Sequence, residues 1–290
     1  QQAAEELGVT PAALSYQIRQ LEEHLELKLF HRLNRAVELT REGRMIASGV
    51  VEAFERLEET FSLLSQDEDD KLVVSTGPAF SAKWLAPRLH SYLEENPEID
   101  FRLSANLKLT DFERDDVDAV IRFGAGNYPE LYVEPLFQEI STPLISPQLF
   151  EKSGGKADET LFQQVTLIHD ESLKFLEASQ WENWLKEMRY TSIDPQRGAR
   201  FSHADHCIEA AVDGGGIVMA RLGFAFREIR AGRLIAPFKQ AISAKGGFYF
   251  CCPEENLEKE KVLHFLAWLR DEAADQAQAI REFMKDRVLL

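Results

Sequence analysis

The sequence predicts an α/β protein that carries a small helical head at its start. Three observations carry that expectation. Residues 3–44 read as a helix, a glycine turn, a second helix and an extended hairpin bearing arginines. In the stretch after them, apolar residues recur at spacings of four, three, four, three. From Lys71 onward, short apolar strand-like runs alternate with stretches of helical period, which is the pattern of βαβ units.

Taken in order, Ala3–Leu7 favours helix and Gly8 stops it, because glycine enters the left-handed region at no steric cost. Thr10 caps the next helix and Pro11 suits its first position, where no backbone donor is missed. That helix, from Pro11 to about Leu25, puts Leu14, Ile18, Leu21 and Leu25 on one face and leaves Ser15, Tyr16, Arg19 and Gln20 off it. A glycine-turned helix pair with a polar outer surface is a helix-turn-helix. Arg41 to about Ser65 reads as one helix with Val50, Phe54, Leu57, Phe61 and Leu64 in a heptad seam. The seam is read as a dimerising face, since glutamates cover the other side; packing within its own domain is the alternative. Gln66–Asp70 is too acidic to pack and marks a hinge.

Beyond the hinge, strands are expected at Leu72–Val74, Phe101–Ser104, Val117–Phe123, within Leu131–Ser146, and at Val165–His169. Others are expected at Arg200–Ser202, Ile217–Ala220, Leu234–Ala236 and Phe248–Cys252. Helices are expected at Ala82–Glu95, Leu109–Asp116, Gln180–Met188, Ala204–Asp213, Leu222–Ala231 and Glu255–Asp275.

Composition narrows the function. The net charge of −16 argues against indiscriminate nucleic-acid binding. Residues 1–44 hold six Lys/Arg against seven Asp/Glu, so one head alone gains little from counterion release. Several heads acting together compensate through effective concentration. No apolar run reaches the ~20 residues that span a bilayer, and no signal peptide is visible. Three cysteines make no disulfide framework, so a reduced, cytoplasmic setting is expected.

The string from Ala3 to Glu22, AAEELGVTPAALSYQIRQLE, resembles the DNA-binding signature of LysR-type transcriptional regulators. Leu29–Arg35 and Leu39–Arg44 resemble that family's wing and the start of its linker helix. The wording Trp84–Leu89, Asp118–Gly124 and Ala231–Leu234 is similar to the glycine-cleavage-activator and β-lactamase-regulator branch. The resemblance implies a winged helix-turn-helix over 1–43, a dimerising linker helix over 44–65 and a hinge at 66–70. Residues 71–290 would then form a two-lobed, periplasmic-binding-protein-like α/β effector domain. Lobe I is expected over 71–142 and 248–275, and lobe II over 143–247. The family has one more helix before the turn; the full protein is expected to carry it.

The resemblance implies double-stranded promoter DNA and a small-molecule effector as partners, a homodimer through the linker helix, a homotetramer, and contact with RNA polymerase. It implies no cofactor and no enzymatic activity. For the head it places Thr10, Pro11, Ala12, Ala13, Ser15, Tyr16, Gln17, Arg19, Arg32 and Arg35 at DNA. Ala12, Ala13, Ser15 and Tyr16 face base edges, Thr10, Gln17, Arg19 and Arg32 face phosphates, and Arg35 is the wing-tip arginine. For Arg19 the alternative is an ion pair with Glu22 or Glu23.

In open α/β sheets ligands bind beyond the carboxyl ends of strands. That rule selects Thr76, Ala79, Phe80, Ser81 and Lys83 after the first strand of the domain, then Asn106, Arg122, Thr142, Ser202 and His203. Ser81 as a mere cap and Arg122 paired to a surface carboxylate are the alternatives. His203–His206 reads as a helix cap with surface residues rather than a metal site, and Gly214–Gly216 as a tight turn rather than a phosphate cradle. The three cysteines read as buried hydrophobes rather than oxidant sensors. No nucleophile–base set can be assembled. The competing function is a cytosolic small-molecule sensor or solute-binding protein without effective DNA binding.

Overall fold

A computed structural model of the chain describes residues 2–32, 37–63, 70–112, 114–172 and 180–290. It divides into two compact units, Gln1–Asp67 and Glu68–Leu290.

The first unit runs α1 (Gln2–Glu6), α2 (Pro11–Leu25), β1 (Phe30–Arg32), β2 (Val37–Leu39) and α3 (Arg41–Leu63). Gly8 sits at φ 62°, so the stop after α1 is the left-handed turn that glycine permits. Thr10 accepts a hydrogen bond from the Ala13 N–H at 3.2 Å and Pro11 takes the first helical position. Of the expected apolar face of α2, Leu14 and Ile18 are half-buried, whereas Leu21 and Leu25 are exposed. The residue that α2 buries is Glu22, for a reason given below. On α3, Val50, Phe54 and Leu57 stand 47, 62 and 49% exposed, an apolar row with no cover within the chain's own described residues. The end of the expected seam at Leu64 and the hinge at 66–69 lie outside the described residues.

The second unit is built on one nine-stranded mixed sheet. Its strands are β3 (Lys71–Thr76), β4 (Asp100–Ala105), β5 (Ala119–Gly124), β6 (Tyr132–Leu144), β7 (Leu167–Asp170), β8 (Ala199–Phe201), β9 (Ile217–Arg221), β10 (Gln240–Cys252) and β11 (Val288–Leu289). The order is β4-β3-β5-β10-β6-β9-β7-β8, with β11 added to β10. Helices α4 (Pro78–Phe80), α5 (Leu89–Glu95), α6 (Pro147–Lys152), α7 (Leu161–Gln164), α8 (Gln180–Glu187), α9 (Ala204–Val212), α10 (Leu222–Arg230) and α11 (Glu260–Met284) complete it.

The unit is two-lobed because β6 and β10, 13 residues each, run antiparallel through both halves. In one lobe β10 pairs with β5, and β3 lies parallel between β4 and β5. In the other, β6 pairs with β9, and β7 lies parallel between β8 and β9. Each lobe is thus a βαβ layout hung on two shared strands. The β6–β10 ladder is interrupted between Ser243 and Gly247, midway along.

Two cores follow. The larger one gathers Leu72, Val74, Phe80, Trp84, Phe137, Phe248, Phe250 and Phe265 and reaches into the second lobe through Ile208, Val218 and Phe224. The second core packs Trp181, Trp184, Leu185, Phe162 and Phe238 inside the second lobe. The inward Trp181, Trp184 and Leu185 of α8 are where helical period put them.

Several elements differ from expectation. The continuous helix expected over Ala82–Glu95 is α4, a π-helical turn at Ser81–Leu85, a break, and then α5. Pro87 lacks the backbone donor and clashes with the preceding turn, which forces the break. Leu109–Asp116 forms a loop, not a helix, over its described residues. Asp115 accepts from the Asp111 N–H at 3.0 Å and Asp116 sits at φ 44°, so local side-chain bonding and a left-handed residue displace the helix. Leu234–Ala236 contributes only an isolated bridge, Ile145 to Ile235. Strand β10 begins eight residues before its apolar part, and α11 runs on to Met284.

Candidate functional site

The head contains a small polar lock. The Glu22 carboxylate accepts from the Leu29 N–H at 2.9 Å, the Phe30 N–H at 3.2 Å and Lys28 Nζ at 2.8 Å. It thereby fixes the chain between α2 and β1, which is why an acid occupies a buried position on α2. Lys28 and the two amides hold its carboxyl at about 2. From the opposite side, Thr40 donates to the Lys28 carbonyl at 2.7 Å and accepts from the Gly43 N–H at 2.9 Å. A Cβ on Gly43 would collide with the Leu29 carbonyl, so glycine is required there. The hairpin is therefore tied to both flanking helices.

The lock predicts a pH response. The folded pKa of Glu22 lies below the unfolded value of 4.5, so its stabilisation is complete above that pH and is lost as pH falls toward 2. Circular dichroism melts of the head at pH 6 and pH 3 are expected to differ, and Glu22→Gln to flatten the difference. Equal pH slopes in parent and variant would remove Glu22 from this role.

The outer surface of α2 presents the start of the helix. Ala12, Ala13 and Gln17 are exposed, Tyr16 is 54% exposed, and Ser15 is half-buried. The Tyr16 hydroxyl accepts from Gln20 Nε2 at 3.0 Å. Arg19 donates to the Ser15 carbonyl at 3.4 Å rather than pairing with Glu22, whose carboxylate is already occupied. Arg32 ends β1; Arg35 lies outside the described residues.

In the second unit a cleft of about 270 Å³ opens between the lobes. Of the residues selected from the sequence, Ala79, Phe80, Arg122 and His203 line it. The others stand elsewhere. The Thr76 and Ser81 hydroxyls share a 2.5 Å hydrogen bond and are buried beneath the wall. Lys83 pairs with Glu209 and lies 3.9 Å from Glu228. Asn106 donates to Ser104 Oγ and accepts from the Lys108 N–H, stiffening its own loop. Thr142 is fully buried and bonds the Gln240 carbonyl within the sheet. Ser202 is exposed beside the cleft.

The cleft also contains residues that the sequence did not single out. Arg221, Tyr128, Ser172, Phe224 and Phe248 line it, with Leu107–Leu109; Phe123, which falls in the stretch 122–124 expected at the third strand's end, lines it too. Arg221 closes β9, so the carboxyl-end rule could have found it. Its guanidinium lies 4.5 Å from the Phe224 ring and 5.5 Å from the Phe123 ring, one from each lobe. Nη2 donates to Asp170 at 3.1 Å and Ser172 at 3.4 Å. Nε has no hydrogen-bond partner among the described residues.

Arg122 donates from Nη2 to Ser75 Oγ at 2.8 Å and Thr110 Oγ1 at 3.1 Å. Desolvation pulls its pKa down, the sign of a guanidinium held away from water. The cysteines are buried, and burial pushes the Cys207 and Cys251 thiols up to about 12 and Cys252 to about 11. None is a thiolate at neutral pH.

The model described as bacterial regulatory helix-turn-helix protein, lysR family, matches residues 1–44, and that of the LysR substrate binding domain matches 65–274. The glycine cleavage system transcriptional activator of Escherichia coli (strain K12) is 38% identical over 281 residues, 96% of this chain and 90% of that protein. The HTH-type transcriptional regulator PerR of the same organism is 36% identical over 93% of this chain and 89% of its own. Among solved structures, the effector domain of the regulator AmpR of Pseudomonas aeruginosa superposes with a TM-score of 0.58 at 26% identity. That match covers 72% of this chain and 98% of the AmpR domain.

Proposed function

Because this chain belongs to the LysR family of bacterial transcriptional regulators, we propose that ligand occupancy of the interlobe cleft sets how its heads engage promoter DNA. It is a DNA-binding regulator with an effector-binding domain. The observation that carries the finer reading is the cleft itself, an apolar-walled opening between two lobes that share β6 and β10. A ligand that touches both walls favours one lobe spacing over another, and so shifts a population of conformations.

The head reads the major groove with the exposed start of α2. Ala12, Ala13, Ser15 and Tyr16 meet base edges, and Thr10, Gln17, Arg19 and Arg32 meet phosphates. Arg35 reaches the minor groove. The exposed row Val50, Phe54 and Leu57 on α3 supports a homodimer, which supplies the second head that a nearly neutral DNA-binding unit needs. A homotetramer and contact with RNA polymerase extend the same reading, as does a cytoplasmic location. Among the described residues no helix is long and apolar enough to cross a membrane.

The test is a gel shift with the full chain and its own promoter fragment at fixed salt. The double variant Ser15→Ala with Arg35→Ala is expected to weaken operator binding by roughly 2–6 kcal/mol, at about 1–3 per lost contact. The melting of the second unit should be unchanged. Undiminished affinity would discard this reading surface.

A further inference from the structure

We propose that the cleft takes a small organic acid with a flat, apolar, ring-bearing body, its carboxylate drawn to Arg122 and Arg221 and its body laid against the phenylalanine wall. This rests on the reading of the cleft as the effector site and adds the chemical class.

The charge at the cleft is the first argument. The chain has 49 acidic residues against 33 Lys/Arg. Among the described residues that line the cleft, however, are Lys108, Arg122, Arg221 and His203, and no carboxylate. A site so unlike the rest of its chain is a local positive well in an acidic protein.

The two arginines are held in ways that leave an anion something to do. The hydrogen bonds of Arg122 go to neutral oxygens, the hydroxyls of Ser75 and Thr110 and the carbonyls of Ile121 and Lys108. Those bonds aim the guanidinium without neutralising it. Arg221 is 6% exposed; its Nη2 donates to Asp170, and its charge also bears on the buried Glu139 carboxyl. Its Nε is buried with no hydrogen-bond partner among the described residues, so the guanidinium keeps an unused donor. A carboxylate satisfies planar donors of this kind well.

The wall argues for the body of the ligand. Phe248 packs at tilted or edge-on angles with Phe80 at 4.7 Å, Phe123 at 5.3 Å and Phe224 at 5.4 Å; all four rings border the cleft, Phe123 half-buried and the other three nearly closed off behind it. An apolar floor with a few placed polar groups is the usual make-up of a small-molecule pocket. A bare inorganic anion would leave that floor wet. An uncharged ring would leave Arg122 desolvated and uncompensated.

The experiment uses the full chain, isothermal titration and thermal shift, with benzoate, phenylacetate and indole-3-acetate as probes. Each is paired with its primary amide, and acetate serves as the anion without a body. At least one ring-bearing acid is expected to bind at least tenfold more tightly than its amide and than acetate. Arg122→Gln should abolish that tenfold preference while the variant still melts cooperatively without ligand; Arg122→Lys should restore part of it.

Amides binding as well as acids would overturn the proposal, as would acetate matching them or none of the three acids binding. The first of these leaves the cleft a ligand site. The cleft reading itself fails on a separate result: promoter output in cells that is indifferent to Arg122→Gln and to a blocking Ala79→Trp alike.

Discussion

Replacing Phe248 with alanine is expected to cost the second unit about 3–5 kcal/mol, the range for removing a buried phenylalanine. Phe248 is 3% exposed and sits at the middle of the sheet, opposite Phe123 on β5 and Phe137 on β6. Its ring has four aromatic neighbours within 5.4 Å, drawn from β5, β6, α4 and α10. No single element can collapse into the space, because the neighbours are anchored to different lobes. For a unit of this size each kcal/mol moves the melting point by roughly 2–4 °C, so a fall of about 10 °C is expected by calorimetry. Phe248→Leu keeps most of the volume and should cost less than half as much. A loss under ~1 kcal/mol for the alanine variant would show that the lobes close over the void.

The second large effect concerns Glu139. Its side chain is wholly buried on β6; Oε2 accepts from the Gly223 N–H at 3.2 Å, and Oε1 has no hydrogen-bond partner among the described residues. Burial raises its pKa from 4.5 to about 7, against the pull of Arg221. A carboxyl whose folded pKa is raised destabilises the fold once it must ionise. Below pH 4.5 both states are protonated and nothing is lost. As pH rises toward about 7 the folded state keeps a proton that the unfolded chain has released, so stability declines. Above that the full cost, roughly 3 kcal/mol at about 1.4 per unit, is in place. Glu139→Gln keeps the acceptor for Gly223 and cannot ionise. Urea melts are expected to show this variant more stable than the parent by about 2 kcal/mol at pH 8, with the advantage gone at pH 5. Parallel pH profiles would assign the burial cost elsewhere.

Glu139 also illustrates what the sequence conceals. In the run Glu134–Thr142 nothing marks one acid as buried; the burial comes from α10 docking by its amino end, where Gly223 leaves room for the carboxylate. Helical and strand periods made the fold class, α8 with its inward tryptophans, and strands β5 and β9 legible, since those signals are local. The start of β10, Gln240–Gly247, escaped because its residues are mostly small or polar, and it is a strand through pairing with β6 and β11, which are distant in sequence. The cleft was half legible for a similar reason. The carboxyl-end rule pointed at Ala79 and Phe80 beyond β3, Arg122 near the end of β5 and His203 beyond β8. Arg221 ends β9 and lay within reach of the same rule, whereas Phe248 enters only once two distant strands stand side by side. Thr76, Thr142 and Ser81 obey the same rule yet point their hydroxyls into the sheet or beneath it, and the rule carries no information on which way a side chain faces. In the head, the polar lock at Glu22 depends on a hairpin folding back seven and eight residues later, a distance that helix patterning does not see.

The interrupted ladder between β6 and β10 has a mechanical meaning. Two strands bonded along their length cannot slide past each other, and they bend most readily where the register shifts, between Ser243 and Gly247 and again between Phe248 and Tyr249. The lobes are therefore joined by a leaf spring rather than a free swivel: travel is short, its direction is set by the sheet, and the restoring force is built in. A molecule that wedges or clasps the lobes works against that stiffness. When it leaves, the spring resets the protein without any further energy source.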